Sequence, residues 1–167
     1  MSDKIDIKLK NVQETLLLPL WGRAVETQKK EPLLVDKTAN EIINKISYNF
    51  STITKNLSEI SQLGWVARSL TFDRIIKQFL EKHPKATIVN IGCGFDTTFD
   101  RIDNGDVYWY DLDLPDVIEL RRQFIKENNR RKFIISSFLD YGWLNKLEIQ
   151  DNILFIAAGV FYYFEEF

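Results

Sequence analysis

A strand that runs directly into two closely spaced glycines restricts the fold of this chain more than any other feature. Thr87-Ile88-Val89-Asn90-Ile91 is apolar enough to lie inside a sheet, and Gly92-Cys93-Gly94-Phe95-Asp96 follows at once. A second apolar run, Val107-Tyr108-Trp109-Tyr110, ends at Asp111-Leu112-Asp113, which sets two carboxylates roughly twenty residues beyond the glycines. A glycine turn after one strand and an acid after the next is how α/β folds hold an adenosine ribose. The glycines let backbone approach the ligand, and the acid accepts from the ribose hydroxyls.

The flanking pattern supports such a sheet. Phe72, Ile75, Ile76, Phe79 and Leu80 make one helical stripe, predicting an amphipathic helix from residue 72 to Lys82, stopped before Pro84. Pro115 is expected to open a helix through about Asn128, with Asp116 and Glu119 placed favourably near its start and Lys126 near its end. Residues 132–135 and 152–158 predict a third and a fourth strand, with a short helical turn over 143–147 between them. The expected order is strand, loop, strand, helix, and then two further strands, which argues for a parallel, doubly wound α/β sheet. The first 65 residues carry no strand pattern and are expected to be helices and loops, with Ala39, Ile42, Ile43 and Ile46 forming one stripe. The expected division is a helical extension over 1–65 and a nucleotide-binding domain over 66–167. A last strand so near the end leaves an open sheet edge. The expectation is a longer domain cut short, its C-terminal strands missing, or a homo-oligomer in which a second copy covers that edge.

Composition removes several alternatives. With 22 basic against 24 acidic residues and a formal charge of −2, no cluster of lysine and arginine is dense enough to follow a nucleic-acid backbone. No apolar run reaches the ~20 residues of a membrane span, and the polar start lacks a secretion signal, so a cytoplasmic protein without a membrane partner is expected. One cysteine, Cys93, and one histidine, His83, allow no internal disulfide and argue against a zinc site; no metal is expected. Cys93 reads as a small apolar filler and His83 as an exposed turn residue.

The loop itself selects among ligands. In the dinucleotide pattern G-x-G-x-x-G, Gly92 and Gly94 match, while Thr97 stands at the third position, where glycine permits the close packing that seats a pyrophosphate on a helix N-terminus. Asp96 would repel phosphates. A ligand with a ribose but no phosphate fits better, and S-adenosylmethionine is one.

Several segments together resemble the leucine carboxyl methyltransferase family and its bacterial relatives, the polyketide O-methyltransferases of the tetracenomycin type. They are Pro32-Leu33-Leu34-Val35-Asp36-Lys37-Thr38-Ala39, Val66-Ala67-Arg68-Ser69, the run from Val89 through Thr98 with Arg101, and Trp109-Tyr110-Asp111-Leu112-Asp113-Leu114-Pro115. Ser137-Phe138-Leu139-Asp140 with Trp143, and Ala158-Gly159-Val160-Phe161-Tyr162-Tyr163, continue the likeness. The resemblance implies a Rossmann-like class I methyltransferase core that binds S-adenosyl-L-methionine, with an N-terminal helical extension shaping the substrate pocket. It implies that Arg68 pairs with the cofactor carboxylate and that Gly92 and Gly94 approach its methionine portion. Asp113 would accept from the ribose, with Asp111 the alternative, and Ser137 and Phe138 would flank the adenine. Two positions depart from the family pattern. Ser137 stands where many relatives carry an Asp, and Ala158 where many carry a Glu.

Methyl transfer from a sulfonium depends mainly on placing the acceptor in line. A pocket lined by aromatics such as Trp21, Tyr162 and Tyr163 is expected, and no general base is identifiable. The leading expectation is an O-methyltransferase acting on a carboxylate or hydroxyl of a small, polyketide-like molecule or on a protein C-terminal carboxylate. The alternatives are a catalytically incomplete fragment that binds cofactor or a partner, and an NAD-dependent oxidoreductase, which Thr97 disfavours.

Overall fold

The computed structural model describes residues 4–7 and 11–161. In chain order the elements are β1 (Ile5–Asp6), α1 (Asn11–Thr27), α2 (Lys37–Lys45), β2 (Ile46–Ser47), α3 (Ser51–Thr54) and α4 (Glu59–Lys82). There follow β3 (Thr87–Ile91), α5 (Thr98–Ile102), β4 (Tyr108–Asp113), α6 (Pro115–Arg122), β5 (Arg131–Ile135), a 3-10 turn over Tyr141–Lys146, and β6 (Ile153–Ala157). They form two compact units. The first comprises Met1–Arg74 with Phe95–Arg101, and the second Ile75–Gly94 with Ile102–Phe167.

In the first unit the expected helices are present. Asp36 caps α2, its side chain accepting from the Ala39 N–H at 2.9 Å, and Ala39, Ile42 and Ile46 of the expected stripe are buried. The two-residue strands β1 and β2 pair in parallel, a feature too short to leave a sequence pattern. The helix expected from residue 72 instead begins at Glu59. Its buried positions, Gln62, Val66, Ser69, Asp73, Ile76 and Leu80, recur at helical spacing, but three of the six are polar, so an apolar-periodicity reading misses its first half. Ile75 lies off that stripe and is 49% exposed.

The second unit is built on four parallel strands in the order β5-β4-β3-β6. The chain adds strands outward from β3 to β5 and then returns to the other side of β3, so the winding direction switches between β3 and β6. One face of the sheet is apolar, with Val89, Tyr110, Leu112, Ile134 and Trp143 packed together. The alternate residues Asn90, Trp109, Asp111 and Arg131 are equally buried, and point to the other face by the period of two.

Three sequence expectations are corrected here. A five-residue helix, α5, stands between β3 and β4 where only a loop was expected. Strand β4 continues through Asp111 to Asp113 instead of ending at Tyr110, with Asp111 opposite both Asn90 and Phe133; the acid inside the strand is neutralised by buried arginines. Helix α6 stops at Arg122, not near Asn128. Beyond it, side chains engage the backbone. Glu127 accepts from the Phe133 N–H at 2.8 Å, and Asn128 accepts from the N–H groups of Arg130 and Arg131, both at 2.8 Å. Such bonds favour a turn over further helix.

Candidate functional site

The glycine loop is shaped by two residues with positive φ, Gly92 at 64° and Gly94 at 45°, a region where an L side chain is strained. Gly92 has a second constraint. A Cβ there would lie 2.5 Å from Cγ2 of Val160, in the segment that follows β6. The loop turns back over the neighbouring strand, with the N–H groups of Gly92 and Cys93 donating to the Leu112 carbonyl at 2.8 and 3.2 Å.

Asp113 closes β4 beside this loop. Its Oδ2 accepts from the Gly94 N–H and its Oδ1 from the Leu114 N–H, both at 2.8 Å. Burial pushes its carboxyl above the usual aspartate range, and the pull of those two N–H groups and of Arg121 does not offset it. A desolvated, oriented and only partly covered carboxylate at a strand end is suited to accepting hydroxyl donors.

Ser137 and Phe138 follow β5, next to β4. The Ser136 N–H donates to the Asp113 carbonyl at 3.1 Å, and Trp143 Nε1 donates to the Phe138 carbonyl at 3.1 Å. The Phe138 ring meets that of Phe161 edge-on, with centroids 5.6 Å apart. Gly92, Gly94, Asp113, Ser137 and Phe138 therefore lie at the carboxyl ends of three adjacent strands, where open α/β sheets bind ligands. Ala158 follows the fourth strand, β6.

Asp111 is placed differently. It is fully buried, and its Oδ2 accepts from Arg121 Nη2 at 2.9 Å and Arg131 Nε at 2.8 Å. Its Oδ1 accepts from Trp109 Nε1 at 2.9 Å and Asn90 Nδ2 at 3.2 Å. Burial alone would raise its pKa, but the two guanidiniums and these hydrogen bonds hold it below the usual range. That geometry makes Asp111 an anchor of the core. Arg68 lies in the part of α4 that belongs to the first unit, partly buried. Trp21 is in α1 of that unit, while Tyr162 and Tyr163 lie outside the described residues. Cys93 is buried. His83 sits at the end of α4, its Nδ1 2.7 Å from Asn152 Nδ2.

Sequence reasoning missed a second buried carboxylate, Asp36. Its Oδ2 accepts from Arg23 Nε at 2.9 Å, Arg101 Nη1 at 2.7 Å and the Thr97 hydroxyl at 2.5 Å. Burial opposes its ionisation, yet Arg23 and Arg101 keep its pKa lowered. Arg101 also forks onto Asp73, with bonds of 2.8 and 2.9 Å. Thr97, noted only for replacing a glycine, is thus a buried donor, and Asp96 accepts from the Thr98 N–H and hydroxyl at 3.1 and 2.9 Å. A signal for Asp36 was available: an Asp immediately before a helical stripe is an N-cap pattern. Among the described residues, no group of His, Cys, Asp and Glu is arranged to hold a metal ion, and no helix is long and apolar enough to cross a membrane. A hollow of about 260 Å³ beside the first residues of β4 and β5, lined by Tyr108, Arg130, Lys132 and Lys146 among others, involves none of these site residues.

A parallel sheet whose first strand ends in a two-glycine elbow and whose second ends in an oriented aspartate is a Rossmann-like α/β core, and the family match makes it one of the class I methyltransferase type. The chain belongs to the leucine carboxyl methyltransferase family, whose sequence pattern matches residues 17–166. It is similar to the tetracenomycin polyketide synthesis O-methyltransferase TcmP of Streptomyces glaucescens, at 35% identity over 161 residues, which cover 96% of this chain and 59% of that protein. It is also similar to the S-adenosyl-L-methionine-dependent methyltransferase dpfgK of Gibberella zeae, at 35% identity over 133 residues, 75% of this chain and 45% of that protein. The chain thus spans about half the length of these curated relatives.

Proposed function

We propose that this chain carries the cofactor-binding part of an S-adenosyl-L-methionine-dependent O-methyltransferase. The observation that carries the reading is the Gly92–Gly94 elbow with Asp113 hydrogen-bonded to the Gly94 N–H. It joins a backbone opening to an acceptor for ribose hydroxyls, and family membership gives the ligand. The cofactor supplies a methyl group on a sulfonium, an already activated leaving group. In this reading the glycine loop presents backbone to the methionine portion, Asp113 accepts from the ribose, Ser137 and Phe138 flank the adenine, and Arg68 pairs with the cofactor carboxylate through its bidentate fork. Asp111 is left out of the ligand set because both of its oxygens serve buried donors.

The acceptor is a carboxylate or hydroxyl of a small polyketide-like molecule, or a protein C-terminal carboxylate, and the likeness to a polyketide synthesis O-methyltransferase favours the small molecule. A carboxylate acceptor is ionised at neutral pH and needs no base. The setting is the cytoplasm, which suits a lone buried thiol. Along β6, where Phe155 is 47% exposed, the partner is a second copy of the chain; a monomeric mass in solution would remove that element.

Calorimetry with S-adenosylhomocysteine tests the reading, with micromolar binding expected, and a folded sample that binds none overturns it. Methyl transfer to a panel of phenols and carboxylic acids then identifies the acceptor. A second reading, binding without turnover, is favoured by Ala158, which stands where the family resemblance places a Glu, and any methylated product eliminates it.

A further inference from the structure

The carbonyls of Gly94 and Phe95 are consecutive, and each is gripped by a buried arginine of its own compact unit. In the second unit Arg121 Nη1 donates to the Gly94 carbonyl at 2.6 Å, while its Nη2 pairs with Asp111. In the first unit Arg23 Nη2 donates to the Phe95 carbonyl at 2.9 Å, while its Nε pairs with Asp36. Arg121 is 0% exposed and Arg23 only 4%. The same Asp36 oxygen that holds Arg23 also receives Thr97 and Arg101, from the segment that begins at Phe95. Residues 95–101 are therefore tied through one carboxylate to α1 and to the start of α2.

This anchoring matters because of what precedes it. Gly92 and Gly94 have wide conformational freedom, so a loop fixed only at β3 would sample many shapes, and ordering it would reduce ligand affinity. The sites of restraint are peptide carbonyls, whose position is independent of side-chain identity in the loop, and the donors are rigid guanidinium forks. We propose that Arg23 and Asp36 are positioning residues for cofactor capture: they belong to the N-terminal helices, touch no ligand, and hold the segment after Gly94 in its binding shape before the ligand arrives. The inference rests on reading the glycine loop as the S-adenosylmethionine site.

The test compares the full chain with Arg23→Met and Arg23→Lys by calorimetry with S-adenosylhomocysteine and by hydrogen exchange in the ligand-free state. Arg23→Met is expected to bind about tenfold more weakly, as for loss of a charged hydrogen bond. Its exchange is expected to accelerate over residues 95–101 while β3 and β4 stay protected. Arg23→Lys keeps the charge but is too narrow a donor to serve both Asp36 and the Phe95 carbonyl, so it should bind about threefold more weakly, and it stands in should the Met variant not fold. Ile42→Ala, in the α2 core, serves as the destabilised control and should leave the affinity of the folded protein unchanged. Unaltered affinity in the arginine variants, unaltered exchange over 95–101, or an equal loss in Ile42→Ala would overturn the proposal. Failure of the wild-type chain to bind would instead bring down the cofactor reading itself.

Discussion

Asp36 and Asp111 are both buried carboxylates that accept from two arginines, yet they are built from different materials. Asp36 gathers groups distant in sequence, Arg23 on α1 with Thr97 and Arg101 near α5, and a second carboxylate, Asp73, shares Arg101 with it. Asp111 sits in mid-strand and draws on its sheet neighbours Asn90 and Arg131, on Trp109 two residues back, and on Arg121 of α6. The first cluster sets two carboxylates against two guanidiniums. Among the described ion pairs the second sets one against two, with Asp111 and Arg121 fully buried and Arg131 2% exposed. Charge balance thus decides how costly it is to disturb each site.

Asp111→Ala should show the largest effect. It leaves Arg121 and Arg131 buried without their shared counter-ion, a change expected to cost about 4 kcal/mol, or on the order of 10 °C in melting temperature. Asp36→Ala should cost less, about 3 kcal/mol, because Arg101 retains its fork on Asp73. Thermal melts of the two variants test the ranking, and a larger loss at Asp36 would break the argument from charge balance. Both carboxylates have lowered native pKa values. Their contributions are therefore present above the unfolded value near pH 4 and are lost as pH falls through the lower native one. The stability gap between wild type and Asp36→Asn should accordingly shrink as the solution is acidified below about pH 4.

Gly92→Ala is expected to cost about 2 kcal/mol, combining the strain of positive φ with the clash at Val160. Pairing it with Val160→Ala separates these causes. Relief of the clash should return about half of the loss, and no recovery would mean that backbone conformation alone demands glycine.

The sheet was largely legible because its strands read as short continuous apolar runs, although only β3 and β4 are buried along both faces. β3, β5 and β6 fall where their runs predict, and Gly92, Gly94, Asp113, Ser137 and Phe138 lie together at strand ends. The charged interior was not legible, since patterning assigns arginine to solvent. Arg121 occupies the same helical stripe as Val117 and Ile118, and only that phase distinguishes it from the exposed Arg122. The same blindness hid the first half of α4, whose buried face includes Gln62, Ser69 and Asp73. Helix α5 is too short for any period to register. The two aspartates of β4 look alike in sequence, and only the arginines brought in by folding distinguish the anchored one from the one left at the strand end.

That distinction leads to the variant with the smallest expected effect on stability. Asp113 has a raised native pKa. Its contribution is therefore fully present below the unfolded value near pH 4 and is lost as pH rises through the native one, opposite in sign to Asp36 and Asp111. At neutral pH its ionised carboxylate opposes folding. Asp113→Asn removes that charge but turns its NH2 toward one of the two N–H donors, so the two effects oppose each other and the melting temperature should stay within about 2 °C of wild type. Affinity for S-adenosylhomocysteine should nevertheless fall about tenfold at pH 7. Wild-type affinity should also decline on acidification from above the ordinary aspartate range, a decline absent from the Asn variant. A side chain kept for binding at some expense to the fold has this signature. If Asp113→Asn instead destabilised the chain and bound as wild type does, Asp113 would join Asp36 and Asp111 as a structural anchor, and the ribose contact would have to be sought elsewhere on the loop.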